Sequence, residues 1–221
     1  MREMFQKELH EVQQGLVELS SLVTGAIMNA TTAFNDSNVS TAEQVLADTH
    51  RIDVAARSLD ELAITILARQ QPVARDLRTV VMALRVSASF ERMGDIAQHI
   101  AQLARFRYPD KPVPKSLRAT FAEMGRLDIE MAQKLSVLLQ TEDLAMVEDM
   151  RTDDNRIDEL HAGVFDTVLG HRWKGTATDT VNATLASRYH ERFADHAVSI
   201  AGKVQYLVTG DWKNCPRDDA A

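Results

Sequence analysis

The sequence has little of several residue types, and each shortage excludes a class of protein. It contains one cysteine, Cys215, so no internal disulfide can form. No apolar run approaches the roughly 18 residues that a membrane-spanning helix needs, so none is expected. Lysine and arginine together number 25 against 32 acidic residues, which gives a formal charge of −7. Nucleic acid is therefore not an expected partner, because the positive charge that attracts a phosphate backbone is missing.

Other absences predict a cytoplasmic protein without a catalytic nucleophile. The first ten residues are charged from the second position onward and lack the apolar segment of a signal peptide. We therefore expect a cytoplasmic protein that reaches a membrane only through its partners. The sequence also has no Gly-x-Ser-x-Gly elbow and no phosphate-binding P-loop, so it gives no sign of nucleophilic catalysis.

Helical periodicity, by contrast, runs through the whole chain. Apolar residues recur at spacings of three and four from Phe5 to Phe34, which predicts a long amphipathic first helix. This near-heptad stripe suits either the interior of a helix bundle or the seam of a homodimer. Further helices are predicted over residues 41–69, 74–107 and 116–140, then up to Leu169 and up to Thr209. No segment alternates between apolar and polar residues as a strand does, so the expected fold class is all-α.

Local signals indicate where the helices begin and end. Ser40 and Glu43 have the Ser-x-x-Glu spacing of a capping box, which predicts the start of the second helix. Pro72 ends that helix, because proline lacks an amide proton and disfavours helical geometry in the preceding residue. Three of the five prolines fall in residues 108–114, which marks the boundary between two halves.

The two halves are copies of one another. Glu91 and Asp95 stand four residues apart, which places both carboxylates on one face of the third helix. One hundred residues later Glu191 and Asp195 return in the same frame, Glu-Arg-x-Gly/Ala-Asp. One acidic pair in so acidic a chain is a weak signal, but its repetition in the same frame is a stronger one.

The repeat extends upstream and defines the expected architecture. The tripeptide Arg-Ile-Asp at 51–53 returns at 156–158, an offset of 105 residues. We predict two tandem three-helix bundles related by internal duplication. The predicted domains are residues 1–108 and 115–210, followed by a flexible tail at 211–221.

The repeated acids have two interpretations. Carboxylates on neighbouring helices repel and raise one another's pKa unless positive charge lies among them. Arginines such as Arg92 and Arg156 can supply it in ordinary surface ion pairs, which is the interpretation that the residues alone favour. The other source is a hard cation such as magnesium, manganese, calcium or iron, which prefers oxygen ligands. The acids concerned are Asp53, Glu91 and Asp95 in the first half, and Asp154, Asp158, Glu191 and Asp195 in the second.

Two histidines, His99 and His161, lie close in sequence to the repeated acids and could join a metal site. His99 lies one turn beyond Asp95, but its repeat counterpart is Ser199, so we expect His99 to face solvent. Asp158 and His161 have the i,i+3 spacing of di-iron bundles, which require that motif on two helices. The motif is unmatched in the first half, so a ferritin-like oxidase is not expected.

At this point the sequence resembles a known family. Residues 71–78, which open the third helix with Gln-Pro-Val-Ala-Arg-Asp-Leu-Arg, combine with the motifs at 90–95 and 187–196. This combination resembles the PhoU family of phosphate-response regulators, from about Phe5 to about Gly210.

The resemblance implies a non-enzymatic adaptor of the cytoplasm. Proteins of this kind engage the high-affinity ABC phosphate transporter, here expected through its ATPase subunit, and a sensor histidine kinase. They modulate phosphate uptake and repress the phosphate-starvation response when phosphate is plentiful. We also expect a homodimer. The alternatives are a carboxylate-bridged metalloenzyme and a purely structural helical scaffold.

The resemblance also implies multinuclear metal sites, with iron in some family members and other hard cations in others. The family's Glu/Asp-x-x-x-Asp motif maps onto three pairs of this chain: Glu91 with Asp95, Glu191 with Asp195, and Asp154 with Asp158. The fourth pair is incomplete, because Thr49 stands where the first half would match Asp154, which leaves Asp53 alone. We therefore expect the second site to hold metal more firmly than the first.

Overall fold

The computed structural model describes residues 2–212, and this range contains six α-helices and no strand. The helices are α1 (Arg2–Asp36), α2 (Val39–Gln70), α3 (Ala74–Arg107), α4 (Arg118–Thr141), α5 (Ala145–Leu169) and α6 (Ala177–Thr209). Every predicted helix is present, and each end falls within a few residues of its predicted position. None of these helices is long and apolar enough to cross a membrane. Of the predicted tail, only Asp211 and Trp212 lie within the described residues.

The start of α2 differs from the prediction. Its N-cap is Asn38, whose side chain accepts a hydrogen bond from the Thr41 amide at 3.1 Å. The predicted capping box at Ser40 and Glu43 is therefore wrong, because both residues already lie inside the first turns of the helix. Asparagine is as strong an N-cap as serine, and it comes first along the chain.

The six helices form two three-helix bundles that share one apolar core. Helices α1, α2 and α3 contact one another, as do α4, α5 and α6, and the bundles join through α1 against α4 and α3 against α6. The predicted all-α tandem architecture is confirmed, while the exact domain limits stay a prediction. Most of the apolar stripe of α1 is buried within the chain and serves the intramolecular bundle, while Phe5 and Leu9 at its start are only partly buried. Its fully buried residues include Val12, Leu16, Leu19, Val23 and Ile27.

The contact between α1 and α4 is unusually close. A methyl group on Gly125 would lie 2.5 Å from Thr31 Cγ2, so only glycine fits at this point of α4. Two hydroxyl groups, those of Ser20 and Ser136, hydrogen-bond across the same contact at 2.7 Å. The bundles are therefore held against each other by the packing of Thr31 on Gly125 and by this hydrogen bond.

Helices α3 and α6 run antiparallel to each other. The rings of His99 and Tyr189 lie 5.1 Å apart, and Arg107 pairs with Asp179 at 3.0 Å. Asp179 also forms a capping box with Thr176, which fixes the first turn of α6. We call the line of contact between α3 and α6 the α3–α6 seam. The antiparallel alignment places the two Glu-x-x-x-Asp motifs at the same level along the helix axes, near the middle of this seam.

A buried polar pair occupies the core of the second bundle. Asp128 Oδ2 of α4 lies 2.6 Å from His190 Nδ1 of α6, and both side chains are almost fully buried. Burial raises the pKa of Asp128 to about 6, against the opposing effect of His190. The repeat counterparts at offsets of 105 and 100 are Val23 and Phe90, both of which are core residues. The second repeat has thus replaced an apolar pair with a hydrogen-bonded one.

This difference between the repeats leads to a stability prediction, in which the first repeat provides the residues of the rescuing double variant. His190→Phe leaves Asp128 buried without its partner, so it should destabilise the fold by about 3–5 kcal/mol. Asp128→Val combined with His190→Phe recreates the apolar pair of the first repeat and should recover most of that loss. Urea unfolding at neutral pH measures both variants. Equal destabilisation of the single and double variants would contradict the pairing.

Candidate metal centre

Helices α5 and α6 bring the four acids of the second repeat together. Asp154 and Asp158 lie one turn apart on α5, and Glu191 and Asp195 lie one turn apart on α6. The negative charges of Asp158, Asp195 and Glu191 all raise the pKa of Asp154, which places the four carboxyl groups within electrostatic reach of one another. This coupling agrees with the expectation that these acids share one region, while their role as metal ligands stays a prediction.

Asp154 is the most perturbed member of this acidic cluster. Partial burial, together with the three neighbouring carboxylates, raises its pKa to about 7. Its Oδ1 atom is buried and has no hydrogen-bond partner. A bound cation would favour the ionised form of this carboxyl group and displace its proton to water.

Glu191 has the same character in a weaker form. Burial raises its pKa, and the charge of Asp195 adds to this effect, while Arg188 opposes it. Arg188 forms an ion pair with Oε1 of Glu191, whereas Oε2 is buried without a hydrogen-bond partner. The ion pair between Arg188 and Glu191 was not predicted from the sequence, although arginine three residues before glutamate on one helix favours such a pair.

The first repeat presents its acids differently. Asp53 is half-buried and Glu91 is exposed. Asp95 pairs with Arg92 at 3.1 Å, which is the ordinary ion-pair interpretation of the motif. Thr49, at the position that answers Asp154, is buried, and its hydroxyl donates to the Val45 carbonyl at 3.0 Å. This position therefore offers α3 no carboxylate.

The other arginines beside the acids pair elsewhere. Arg51 contacts Asp48 at 3.4 Å, one turn away from Asp53. Arg156 binds Glu123 at 3.0 Å and Glu159 at 2.9 Å. Neither arginine therefore forms an ion pair with the nearby metal-ligand candidate, Asp53 or Asp158.

The donor chemistry of the second cluster fits a hard cation. It supplies carboxylate oxygens only, two of which are buried without a partner, and hard cations prefer such ligands. Within residues 2–212, however, no three His, Cys, Asp or Glu side chains already converge as a set of metal ligands. Metal binding would therefore require these carboxylates to turn inward. The residues of the first repeat fit less well, because Thr49 replaces one carboxylate and no oxygen of Asp53, Glu91 or Asp95 is buried without a partner.

The two histidines take structural positions. His161 Nδ1 lies 3.1 Å from the Ser187 hydroxyl of α6, and its ring packs edge-on against Phe165. His99 is exposed, as expected, and its ring lies against Tyr189. Both side chains contact α6 through neutral groups.

The raised pKa of Asp154 predicts a pH-dependent stability. Its folded pKa of about 7 exceeds the 3.8 of an unperturbed aspartate, so the folded state binds this proton more tightly than the unfolded chain does. Stability from this group is therefore full below about pH 4 and is lost as pH rises towards 7. Asp154→Asn should raise the unfolding free energy by about 1–2 kcal/mol at pH 8, after allowance for solvent screening, and by almost nothing at pH 4.

The measurement is urea unfolding of chelator-treated protein across this pH range. Asp149→Asn is the matched control, because Asp149 is an exposed aspartate on the same helix. A stability difference that stays constant from pH 4 to pH 8 would contradict the crowding of the four carboxylates.

Known proteins match both the sequence and the fold. The PhoU domain family model matches twice, over residues 16–104 and 121–204. The chain is 36% identical over 210 residues to "Phosphate-specific transport system accessory protein PhoU homolog 2" of Mycobacterium tuberculosis, covering 95% of this chain and 99% of that protein. It is 35% identical over 219 residues to PhoU homolog 1 of Mycobacterium leprae, covering 99% and 97%.

A solved structure gives the same result for the architecture. The crystal structure of PhoU from Pseudomonas aeruginosa superimposes with a TM-score of 0.83 at 26% sequence identity. The match covers 94% of this chain and 100% of that one, so both repeats and their mutual arrangement are included. With both repeats matched in sequence and in fold, this chain belongs to the PhoU family.

Proposed function

We propose that this chain is a negative regulator of the phosphate-starvation response. It acts in the cytoplasm as an adaptor between the high-affinity ABC phosphate transporter and a sensor histidine kinase. The observation that carries this proposal is the match of both repeats to the PhoU domain. Relatives that are matched over nearly their whole length are named phosphate-specific transport system accessory proteins.

The fold supports an adaptor through its exposed surfaces. Long helices present extended faces, and one end of the α3–α6 seam exposes large apolar side chains. Phe106 is 76% exposed and Val181 is 55% exposed, close to the ion pair between Arg107 and Asp179. Exposed aromatic and aliphatic side chains beside charged groups are typical of docking surfaces. We assign this end of the seam to partner contact.

We propose no catalytic role for the chain. A di-iron form of the metalloenzyme alternative would need the Asp/Glu-x-x-His motif on two helices, and His161 belongs to the single such motif of the sequence. That side chain instead bonds to Ser187 and packs on Phe165, so its geometry favours a structural role.

Metal, in this proposal, has a structural function in the second repeat. Asp154, Asp158, Glu191 and Asp195 would hold a hard cation such as iron, magnesium or manganese. The ion would supply the positive charge that offsets their mutual repulsion and would tie α5 to α6. The face formed by α5 and α6 would then be stiffer in the loaded protein.

The regulatory role predicts a phenotype of deletion. Cells that lack this chain and grow with abundant phosphate should secrete phosphatase constitutively, because the kinase is no longer repressed. Secreted phosphatase activity measures this, with wild-type complementation as the control. Normal repression in a strain without a second homologous copy would contradict the role.

Binding experiments separate the adaptor from other kinds of repressor. The purified chain should bind both the transporter's ATPase subunit and the cytoplasmic part of the kinase. A clear deletion phenotype without either interaction would keep the regulatory role and overturn the adaptor.

The asymmetry of the repeats predicts unequal metal binding. Glu191→Gln should lower the metal-to-protein ratio strongly, whereas Glu91→Gln should lower it little, because the first repeat lacks the carboxylate that Asp154 provides. Thr49→Asp restores that carboxylate and should raise the ratio. Elemental analysis of protein purified without chelators measures all three variants. Equal losses from the two glutamine variants would contradict the asymmetry.

A further inference from the structure

A small cavity of about 200 Å³ lies at the end of the α3–α6 seam that is opposite to Phe106 and Val181. The first turns of α3 and the last turns of α6 form its walls, and Trp212 covers one side. This volume is below the range of pockets that hold drug-sized ligands, so the cavity suits a small ion.

Three cationic side chains line this cavity among apolar ones. Arg78 and Arg85 of α3 and Lys203 of α6 all line it, and no acidic side chain of the described residues does. Neither arginine forms a salt bridge within residues 2–212. Three cations around one cavity are unexpected in a chain with a formal charge of −7. Since the two arginines have no carboxylate partner among the described residues, an anion would relieve the repulsion between their guanidinium groups.

Arg78 supplies an independent sign of a ligand. Its Nε atom is buried and has no hydrogen-bond partner. A buried guanidinium N–H without an acceptor is costly, and an oxyanion is the acceptor that matches its planar geometry. The guanidinium lies beside Gly210, whose positive φ of 72° turns the chain at the end of α6. Gly210 thus brings the chain back over the cavity without a side chain that would contact Arg78.

Lys203 places the third cation deeper in the protein. The residue is only 6% exposed, and its ammonium group donates to the Ser199 hydroxyl one turn back along α6. Lysine is rarely buried to this degree. The hydrogen bond to Ser199 anchors the ammonium group in a fixed position at the cavity wall.

The aromatic residues of the cavity argue against a nucleotide. The Trp212 ring stacks on Tyr206 with a centroid distance of 4.0 Å, and the Arg85 guanidinium lies over the Trp212 ring at 5.7 Å. These contacts already use the ring faces on which a base would stack. The cavity therefore presents cations to a small anion and offers no platform for a nucleobase.

Comparison of the repeats shows that these cations are particular to one end of the seam. At an offset of 100 residues, Arg78 is answered by Thr178 and Arg85 by Leu185. In the other direction, Lys203 answers Leu103. The duplicated scaffold thus does not itself require charge at these positions.

We propose that this cavity binds a small oxyanion, inorganic phosphate, through Arg78, Arg85 and Lys203. The two guanidinium groups donate to the phosphate oxygens from α3, and the ammonium group faces them from α6. Binding would link the start of α3 to the end of α6 and would hold Trp212 in place. The site stands on its own geometry and does not depend on the adaptor role.

Isothermal titration calorimetry of the full chain with sodium phosphate, at constant ionic strength, tests the site. Arg78→Gln and Arg85→Gln should each weaken phosphate binding by about tenfold or more, since each removes charge-assisted hydrogen bonds. Arg78→Lys keeps the charge but not the fork of donors, so it should fall between wild type and Arg78→Gln. Arg105→Gln is the matched control, because Arg105 is an exposed arginine of the same helix outside the cavity.

Tryptophan fluorescence gives a second measurement that is local to the cavity. The chain has two tryptophans, so Trp173→Phe leaves Trp212 as the sole reporter. Phosphate should change the emission of Trp212, because the bound anion would attract the Arg85 guanidinium group that lies over the Trp212 ring. Thermal melting of each variant confirms that it is folded.

Each outcome decides one part of the proposal. Absence of phosphate binding at millimolar concentration, or equal binding by all folded variants, would overturn the site. Equal affinity for sulfate would support an oxyanion site and overturn its assignment to phosphate, while tighter competing binding of ATP would assign it to a nucleotide's phosphoryl group. These results come from purified protein, so a failure here would leave the deletion phenotype untouched.

Discussion

The close contact between α1 and α4 is the constraint on which the rest of the structure depends. Because Gly125 lets the two backbones approach at Thr31, the apolar stripe of α1 is covered by both bundles, and the core is continuous. Neither repeat is therefore packed as an independent unit. The packing of the two bundles also aligns α3 and α6 antiparallel. This alignment places the two Glu-x-x-x-Asp motifs at the middle of the α3–α6 seam and the cationic cavity at one end.

The sequence predicted the local structure well, because local physics determines it. Periodicity of 3.6 residues, the Pro72 break and the proline-rich boundary placed six helices almost correctly. The error at Ser40 arose where two capping residues competed and Asn38 came first. The acidic cluster was also predictable, since the internal repeat showed which carboxylates share a helix face.

Long-range pairing was beyond the sequence. Asp128 and His190 are 62 residues apart, and the cationic cavity joins residues more than one hundred positions apart. The repeat did contain a usable signal: polar residues replace Val23 and Phe90 at positions that the first half uses as core. That Asp128 and His190 are buried and pair with each other is evident only from the packing of α4 against α6.

The antiparallel seam of α3 and α6 gives the molecule a direction. A freshly duplicated chain would present two equivalent ends related by an internal two-fold axis, and a partner could occupy both. Here one end exposes Phe106 and Val181, while the other holds Arg78, Arg85 and Lys203 among the apolar side chains of its cavity. A protein that recognised only one of these ends would therefore meet one binding site per chain, in a single orientation.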